Sequence, residues 1–417
     1  MTAQTVREHD ALAGVPDPVE AARQRIVAAA LRPGSRRRVG LELELHLVDL
    51  AAPLHRPDWT TVESLVAGLP AMPGGSSVTV EPGGQVELST PPLPDVVAAV
   101  AALRADRAVL AAGLAARGFG AAALGTDPAR EARRTNPHPR YAAMERYFDA
   151  AGCGGPGRAM MTCTAALQVN LDAGPPQGWA ARVGLLRALA PVLVAVSAGS
   201  AYLAGRASGW HSMRQQTWSG IDPGRSEPVP PGPPGERWAA YALAAPVMMV
   251  RDGDRRVPVT RRLSFAEWLA DPGAVGRRAT AADLDHHLTT LFPPVRPRGY
   301  LEIRCVDALP DRWWPAMAAL TATLADDPVA ADRAAAACEP VSDLLAPAAR
   351  SGLEDRRLHA AARECTRVAA ERAPAELAAD LAVIAELAEG GRCVGDELRD
   401  RARTRGPLRL LEEESRA

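Results

Sequence analysis

The chain has 417 residues, with 48 basic and 49 acidic side chains and a formal net charge of −1. A balance this even gives no support to a general nucleic-acid or anionic-membrane surface. The hydrophobic fraction of 47% is that of a globular protein long enough for two or three domains, and with aromatics at only 4%, Ala, Leu and Val must build most of the core.

The opening MTAQTVREHD has no apolar signal core. None of the six cysteines, Cys153, Cys163, Cys305, Cys338, Cys365 and Cys393, belongs to a CxxC pair or a zinc-ligand spacing. A cytoplasmic protein with reduced thiols is the expectation. The longest apolar run, residues 189–203, contains Pro191, Ser197 and Ser200. It falls short of the roughly 20 residues of a membrane span, so it reads as a buried helix and no membrane partner is expected.

In chain order, residues 1–16 read as a loose lead-in. Asp17 and Pro18 then open a helix to about residue 31. A basic turn over residues 32–38 feeds residues 40–50, GLELELHLVDL, which alternate at period two as a strand does. A short helix is expected over residues 59–68. Residues 78–91, VTVEPGGQVELSTP, read as strand, Gly-Gly turn and strand. Asp95 caps a long helix that Gly118 closes. Residues 125–139 read as loop, 140–150 as helix, 160–172 as strand and 178–197 as a helix over a sheet face. Residues 210–225 have no clean period, and 223–234 form a Pro/Gly-rich loop. Helices are expected over 263–270 and 281–291 and a strand over 298–307. From residue 313 to about 405 the pattern is almost wholly helical, followed by a charged tail.

One pattern recurs. Glu42, Glu44 and His46 share one strand face, opposite Leu41, Leu43, Leu45 and Leu47. Gln85 and Glu87 share a face opposite Val86 and Leu88, with Glu81 just before the turn. Gln168, Asn170 and Asp172 oppose Leu167, Val169 and Leu171, and Glu302 and Arg304 oppose Leu301, Ile303 and Cys305. If these strands share one antiparallel sheet, Glu42, Glu44, Glu87 and Glu302 crowd together. Like charges that close repel and raise one another's pKa. Hard oxygen donors in that number suit Mg²⁺ or Mn²⁺, and Mg²⁺ on carboxylates usually accompanies a substrate phosphate, for which Arg304 is a natural partner. Paired carboxylates also serve glycoside hydrolysis, but those sites carry aromatic sugar platforms and these faces show none. No GxxxxGK[ST] loop occurs. His46 is either a ligand or a packing residue. His286 and His287 read as structural. Cys163 is either a pocket residue or a small buried hydrophobe.

Seven stretches, in order across roughly residues 40–307, resemble the glutamate–cysteine ligases of the lineage shared by plants and many bacteria. They are GLELELHLVD, EPGGQVELSTPP, PRYAAMERYF, MMTCTAALQVNLD, SMRQQTW, YALAAPVMMV and HLTTLFPPVRPRGYLEIR. The likeness is greatest to the actinobacterial enzymes that serve ergothioneine synthesis. It implies an α+β fold in which a curved antiparallel sheet forms a funnel-like active site with helices on its outer face. Residues 1–307 would be the catalytic sheet domain, and 308–417 a helical region packed on the same domain.

The resemblance also implies ATP-dependent joining of glutamate to cysteine through a γ-glutamyl phosphate, with two or three Mg²⁺ ions. Carried over residue by residue, Glu42, Glu44, Glu81, Glu87, Gln168 and Glu302 would hold metal. Asn170 and Arg304 would sit by the nucleotide phosphates. Arg140, Arg214, Trp218 and Cys163 would contact the amino-acid substrates, with Arg304 and Arg214 stabilising the transferring phosphoryl group. The segment TCTAALQ around Cys163 departs from the plant arrangement. A related ligase with another amine acceptor, or a non-catalytic binding module on this fold, are the alternatives.

Overall fold

The structure, a computed structural model, describes Leu12, residues 15–35 and residues 37–416. Most of the lead-in expected over residues 1–16 lies outside the described residues. The strands are β1 (Val39–Asp49), β2 (Ser77–Val80), β3 (Val86–Ser89), β4 (Phe119–Ala122), β5 (Ala166–Leu171), β6 (Tyr202–Leu203), β7 (Arg206–Ala207), β8 (Met249–Asp252), β9 (Arg255–Pro258), β10 (Val295–Pro297) and β11 (Leu301–Asp307). Seven of them make one sheet in the order β10-β11-β5-β1-β3-β2, with β4 also paired to β1. All its pairings are antiparallel.

β1 is the axis of this sheet. β5 runs along one edge of its first half, β3 along the other, and β4 takes over beside residues 46–49. The alternation in its sequence decides which way it faces. Leu41, Leu43, Leu45 and Leu47 are all buried, each contributing about 1.5–3 kcal/mol by leaving water. Helix Val96–Ala115 packs behind β1 and β3, Trp179–Ser197 behind β10 and β11, and Trp314–Asp326 behind β5. Helix Trp179–Ser197, which holds residues 189–197 of the long apolar run, is buried along most of its length, and the run ends in β6. A single hydrophobic cluster joins the sheet's apolar face to the C-terminal helices through residues such as Trp314, Met317 and Leu358.

The caps expected at Asp17 and Asp95 form, and Asp58 adds one that was not anticipated. Asp17, Asp58 and Asp95 accept backbone N–H bonds from Glu20, Thr61 and Ala98, and Pro18 and Pro139 occupy first helical positions. The β2–β3 turn closes with Glu81 N donating to Gln85 O at 2.8 Å, and Gly84 takes φ +84°. Gly83 is needed for a different reason. A Cβ there would meet Thr162 O at 2.4 Å, so the turn seats directly on the helix end beside it. β11 contains a bulge between Ile303 and Val306, where the register to β5 shifts.

Several expectations change. The strand read over residues 160–172 is a helix, Gly154–Cys163, followed by β5, because Met160, Met161 and Cys163 pack as one helical turn. The loop read over residues 223–234 opens with a short helix, Pro223–Ser226, that Asp222 caps. Helix Pro234–Ala244, strands β4 and β10, and the β8–β9 hairpin were not anticipated. The charged tail contains a helix, Pro407–Glu414, with Leu410 and Leu411 buried.

Leu43 has no exposed surface. We expect Leu43→Ala to lower unfolding stability by about 2–5 kcal/mol in a urea titration. A midpoint within error of wild type would show that the β1 face is not packed as described.

Candidate active site

The polar face of the sheet is the floor of a cavity of about 280 Å³. Glu42, Glu44, Glu81, Glu87, Gln168, Glu302 and Arg304 all line it, joined from above by Arg140 and Trp218. Cross-strand register brings the floor together. Glu44 lies opposite Glu87, Glu42 opposite Gln168, and Glu302 opposite Asn170. The roof comes from the helices Pro139–Ala150, Gly154–Cys163 and Met213–Ser219.

The carboxylates differ in their partners. Glu44 accepts from Ala166 N at 2.9 Å and from Gln168 Nε2 at 3.1 Å. Glu42 accepts from Asn170 Nδ2 at 2.8 Å. Glu87 accepts from Thr79 Oγ1 and Ser89 Oγ, at 2.9 and 2.8 Å. The Glu81 carboxylate has no hydrogen bond among the described residues. Burial, then the charges of Glu87 and Glu302, raise the Glu42 pKa to about 7. Burial also raises Glu44 and, reinforced by neighbouring carboxylates, Glu81 and Glu87.

Glu302 behaves in the opposite way. It is fully buried, and burial opposes its ionisation, yet Arg296 and Arg304 hold its pKa well below the carboxylate range. Arg296 bonds both oxygens, through Nε to Oε2 and through Nη2 to Oε1 at 2.9 Å. Arg298 Nη1 adds a bond of 3.1 Å, and Arg304 Nη1 lies 3.3 Å away. Glu302 was expected to bind metal; here its lone pairs are occupied by guanidinium groups. In this arrangement it gathers three arginines at one side of the cavity.

Gln168 is similarly committed: Oε1 accepts from Arg304 Nη1 at 2.6 Å while Nε2 serves Glu44. It joins the acidic and basic sides rather than offering a free amide oxygen. Among the described residues, no three His, Cys, Asp or Glu side chains converge to hold one metal ion. The donor chemistry still fits hard divalent cations. Four half-buried carboxylates with raised pKa values face one cavity, and one of them has no hydrogen-bonding partner among the described residues. Glu42, Glu44, Glu81 and Glu87 are the residues that could hold such ions.

Three other residues expected at the site do not line the cavity. Asn170 is not on the cavity wall; it orients Glu42. Arg214 is buried behind the wall, where Nη2 donates to Arg304 O at 2.7 Å and Nη1 lies 3.9 Å from Asp307. It supports Arg304 from below. Cys163 is fully buried among Arg56, Thr162 and Arg130 O, and burial pushes its thiol up to about 11. It is a core residue and does not line the cavity. His46 is also core: Nε2 lies 3.1 Å from Leu124 O, and burial lowers its pKa to about 4. His287 bonds Ala242 O and stacks on Phe265. His286, with Thr289, holds Arg140, whose Nη1 reaches Thr289 Oγ1 at 3.0 Å.

Arg296 and Arg298 are wall residues that motif reading left unassigned. The signal was present. A hairpin closing at Gly299, which has φ +80°, places Arg296 opposite Glu302.

Glu42 gives a pH dependence with a definite sign. Its folded pKa of about 7 exceeds the ordinary 4.5, so its contribution to stability is complete below pH 4.5 and lost as pH rises through 7. Glu42→Gln removes that contribution. In metal-free buffer we expect the variant to gain thermal stability relative to wild type from about pH 5 to about pH 8. Parallel melting curves across that range would contradict a buried, mutually repelling cluster.

The glutamate–cysteine ligase family 2 model matches residues 38–414 of the chain. A protein of Mycolicibacterium smegmatis named glutamate–cysteine ligase EgtA is 52% identical over 392 residues, covering 93% of this chain and 92% of its own. Its namesake from Mycobacterium tuberculosis is 49% identical over 399 residues, with the same two coverages of 93% and 92%. The crystal structure of a Francisella tularensis glutamate–cysteine ligase in complex with AMP shares the fold, with a TM-score of 0.53 at 14% identity over 92% of this chain and 88% of that one. With a match over nearly all its length and close relatives of the same extent, the chain belongs to glutamate–cysteine ligase family 2.

Proposed function

We propose that the chain is an ATP-dependent ligase that joins the γ-carboxylate of glutamate to the amine of cysteine, giving γ-glutamylcysteine, ADP and phosphate. The observation that carries this reading is the division of one cavity into a carboxylate side and an arginine side, joined by the Gln168–Arg304 bond. That division suits a polyanionic nucleotide whose phosphates lie between cations and guanidinium groups. The identity of 52% to a named glutamate–cysteine ligase supports the choice of substrates.

The sheet's polar face is then the floor of a funnel-like site, and the helices after residue 307 are part of the same domain. Glu42, Glu44, Glu81 and Glu87 would hold two or three Mg²⁺, or Mn²⁺ in its place. When bound, these ions neutralise phosphate charge and let two anionic substrates approach. Arg304 and Arg298 bind phosphate oxygens, and Arg304 stabilises charge on the transferring phosphoryl group. Glutamate's γ-carboxylate oxygen attacks the γ-phosphorus and ADP leaves. The amine nitrogen then attacks the acyl carbon, loses its proton, and phosphate departs with the C–O electron pair. No protein nucleophile is needed. Arg140, fixed by Thr289 and His286, is placed for an amino-acid carboxylate, and Trp218 closes the wall beside it. Arg214 acts through Arg304 as a positioning residue. We place the product in ergothioneine synthesis, in the cytoplasm.

The test follows ADP release with Mg·ATP and glutamate while the amine is varied. Turnover should depend strongly on cysteine. Equal rates with unrelated amines would favour a different carboxylate–amine ligase, and ATP binding without ADP release would favour a binding module. Glu42→Gln and Glu81→Gln should each lower kcat by about 10²–10³ with an unchanged circular dichroism spectrum. Near-normal turnover in both would remove the carboxylates from the reaction. Added Mg²⁺ should also raise the melting temperature of the wild type more than that of either variant.

A further inference from the structure

One wall of the cavity is neither acidic nor basic. Met144, Met160 and Met161 line it together with Trp218 and Phe292. All three methionines are buried. They belong to a hydrophobic cluster separate from the main core, built by helices Pro139–Ala150 and Gly154–Cys163 with Ile221, Met248 and Met249. Five of the chain's nine methionines sit in this small cluster, whereas the main core is mostly Leu, Ala and Val. Thioether sulfur is therefore concentrated where the cavity has its apolar surface. Trp218 and Phe292 meet edge to face, with ring centroids 5.3 Å apart.

Two polar atoms beside this wall are buried. Trp218 Nε1 is a buried donor and Gln85 Oε1 a buried acceptor, each without a partner among the described residues. Gln85 is fixed by its other amide atom, which donates to Thr164 O at 2.9 Å and Met161 O at 3.4 Å. The Thr164 hydroxyl is committed to Met160 O at 2.6 Å. Both atoms have almost no accessible surface, so neither is open to a hydroxyl of an amino acid lying on this wall. The three methionines offer its side chain only soft, apolar contact.

We propose that this methionine wall receives the side chain of the amine acceptor and selects a thiol over a hydroxyl. The inference rests on the ligase reading above and names the residues that set its specificity. A thiol is polarisable and a weak hydrogen bonder, so it loses little on leaving water and gains contact with thioether sulfur and ring edges. A hydroxyl of nearly the same shape gives up its water hydrogen bonds and meets no partner on this wall. A pocket of this kind discriminates by roughly 10- to 100-fold in kcat/KM.

The experiment measures kcat/KM for cysteine and for serine by ADP release, using the full chain with Mg·ATP and saturating glutamate. Wild type should prefer cysteine by roughly 10- to 100-fold. Met144→Gln and Met160→Gln keep side-chain length while adding a hydrogen-bonding amide. Each should lower the cysteine-to-serine ratio by about tenfold while KM for glutamate stays within about twofold. Met160→Leu, still apolar, should keep the wild-type ratio. Equal losses for both amines in the glutamine variants would overturn the inference, as would a leucine variant whose ratio falls as far as theirs. The two positions lie on different helices, so misfolding of one variant leaves the other to decide. A wild type that uses serine as well as cysteine would also overturn it, without any variant. A wild type with no cysteine-dependent ADP release would instead sink the ligase reading itself.

Discussion

Four carboxylates on one wall repel one another, and the surrounding structure is arranged to withstand that repulsion. Glu42 and Glu44 alternate with leucines that are buried against helices, and β1 has hydrogen-bonded neighbours on both edges. A strand held on three sides cannot turn its charges apart. The stress appears instead as increased proton affinity, most clearly at Glu42 and Glu81. Binding of divalent cations would release it. The leucine face is thus a mechanical requirement of the acidic face.

The basic side solves the converse problem. Arg296, Arg298 and Arg304 would repel one another around an apolar centre, and the buried Glu302 carboxylate holds them together. One buried anion among three guanidinium groups leaves a surplus of positive charge facing the cavity. Such a cluster contributes little net stability once desolvation is counted. What it contributes is placement, because each arginine is fixed before an anionic ligand arrives. The methionine wall completes the cavity with a surface that prefers neither sign.

Much of this was legible in sequence because a half-buried strand must alternate. β1, β3, β5 and β11 carry that alternation, and the acidic floor follows from it. β4 and β10 have four and three residues, too few to show a period. Helix Gly154–Cys163 opens on GGPG, which reads as a turn, and ends in a short apolar run that strands share. Cys163 and Arg214 lie inside matching stretches, but their distance from the cavity is set by packing that adjacency in sequence does not encode. Glu302 shows a further limit. Its residue type and face were readable, whereas its partners depend on a hairpin that returns Arg296 to its side.

The bulge in β11 has a consequence for how the strand is read. Glu302 and Ile303 pair with Asn170 and Val169, but Val306 and Asp307 pair with Leu167 and Ala166, one residue out of phase. The strand therefore changes frame at Arg304 and Cys305. An even-numbered glutamate and an odd-numbered aspartate end on the same side, where Asp307 accepts from Ser200 and Ser212 and lies beside Arg214. Deleting a single residue at the switch would restore regular pleating and still leave Val306 opposite Leu167 and Asp307 opposite Ala166, whereas regular pleating at the present length would turn Asp307 to the opposite face. The extra residue is thus what lets Glu302 and Asp307, five positions apart, share one face of the strand, with Asp307 anchoring Arg214 beneath Arg304.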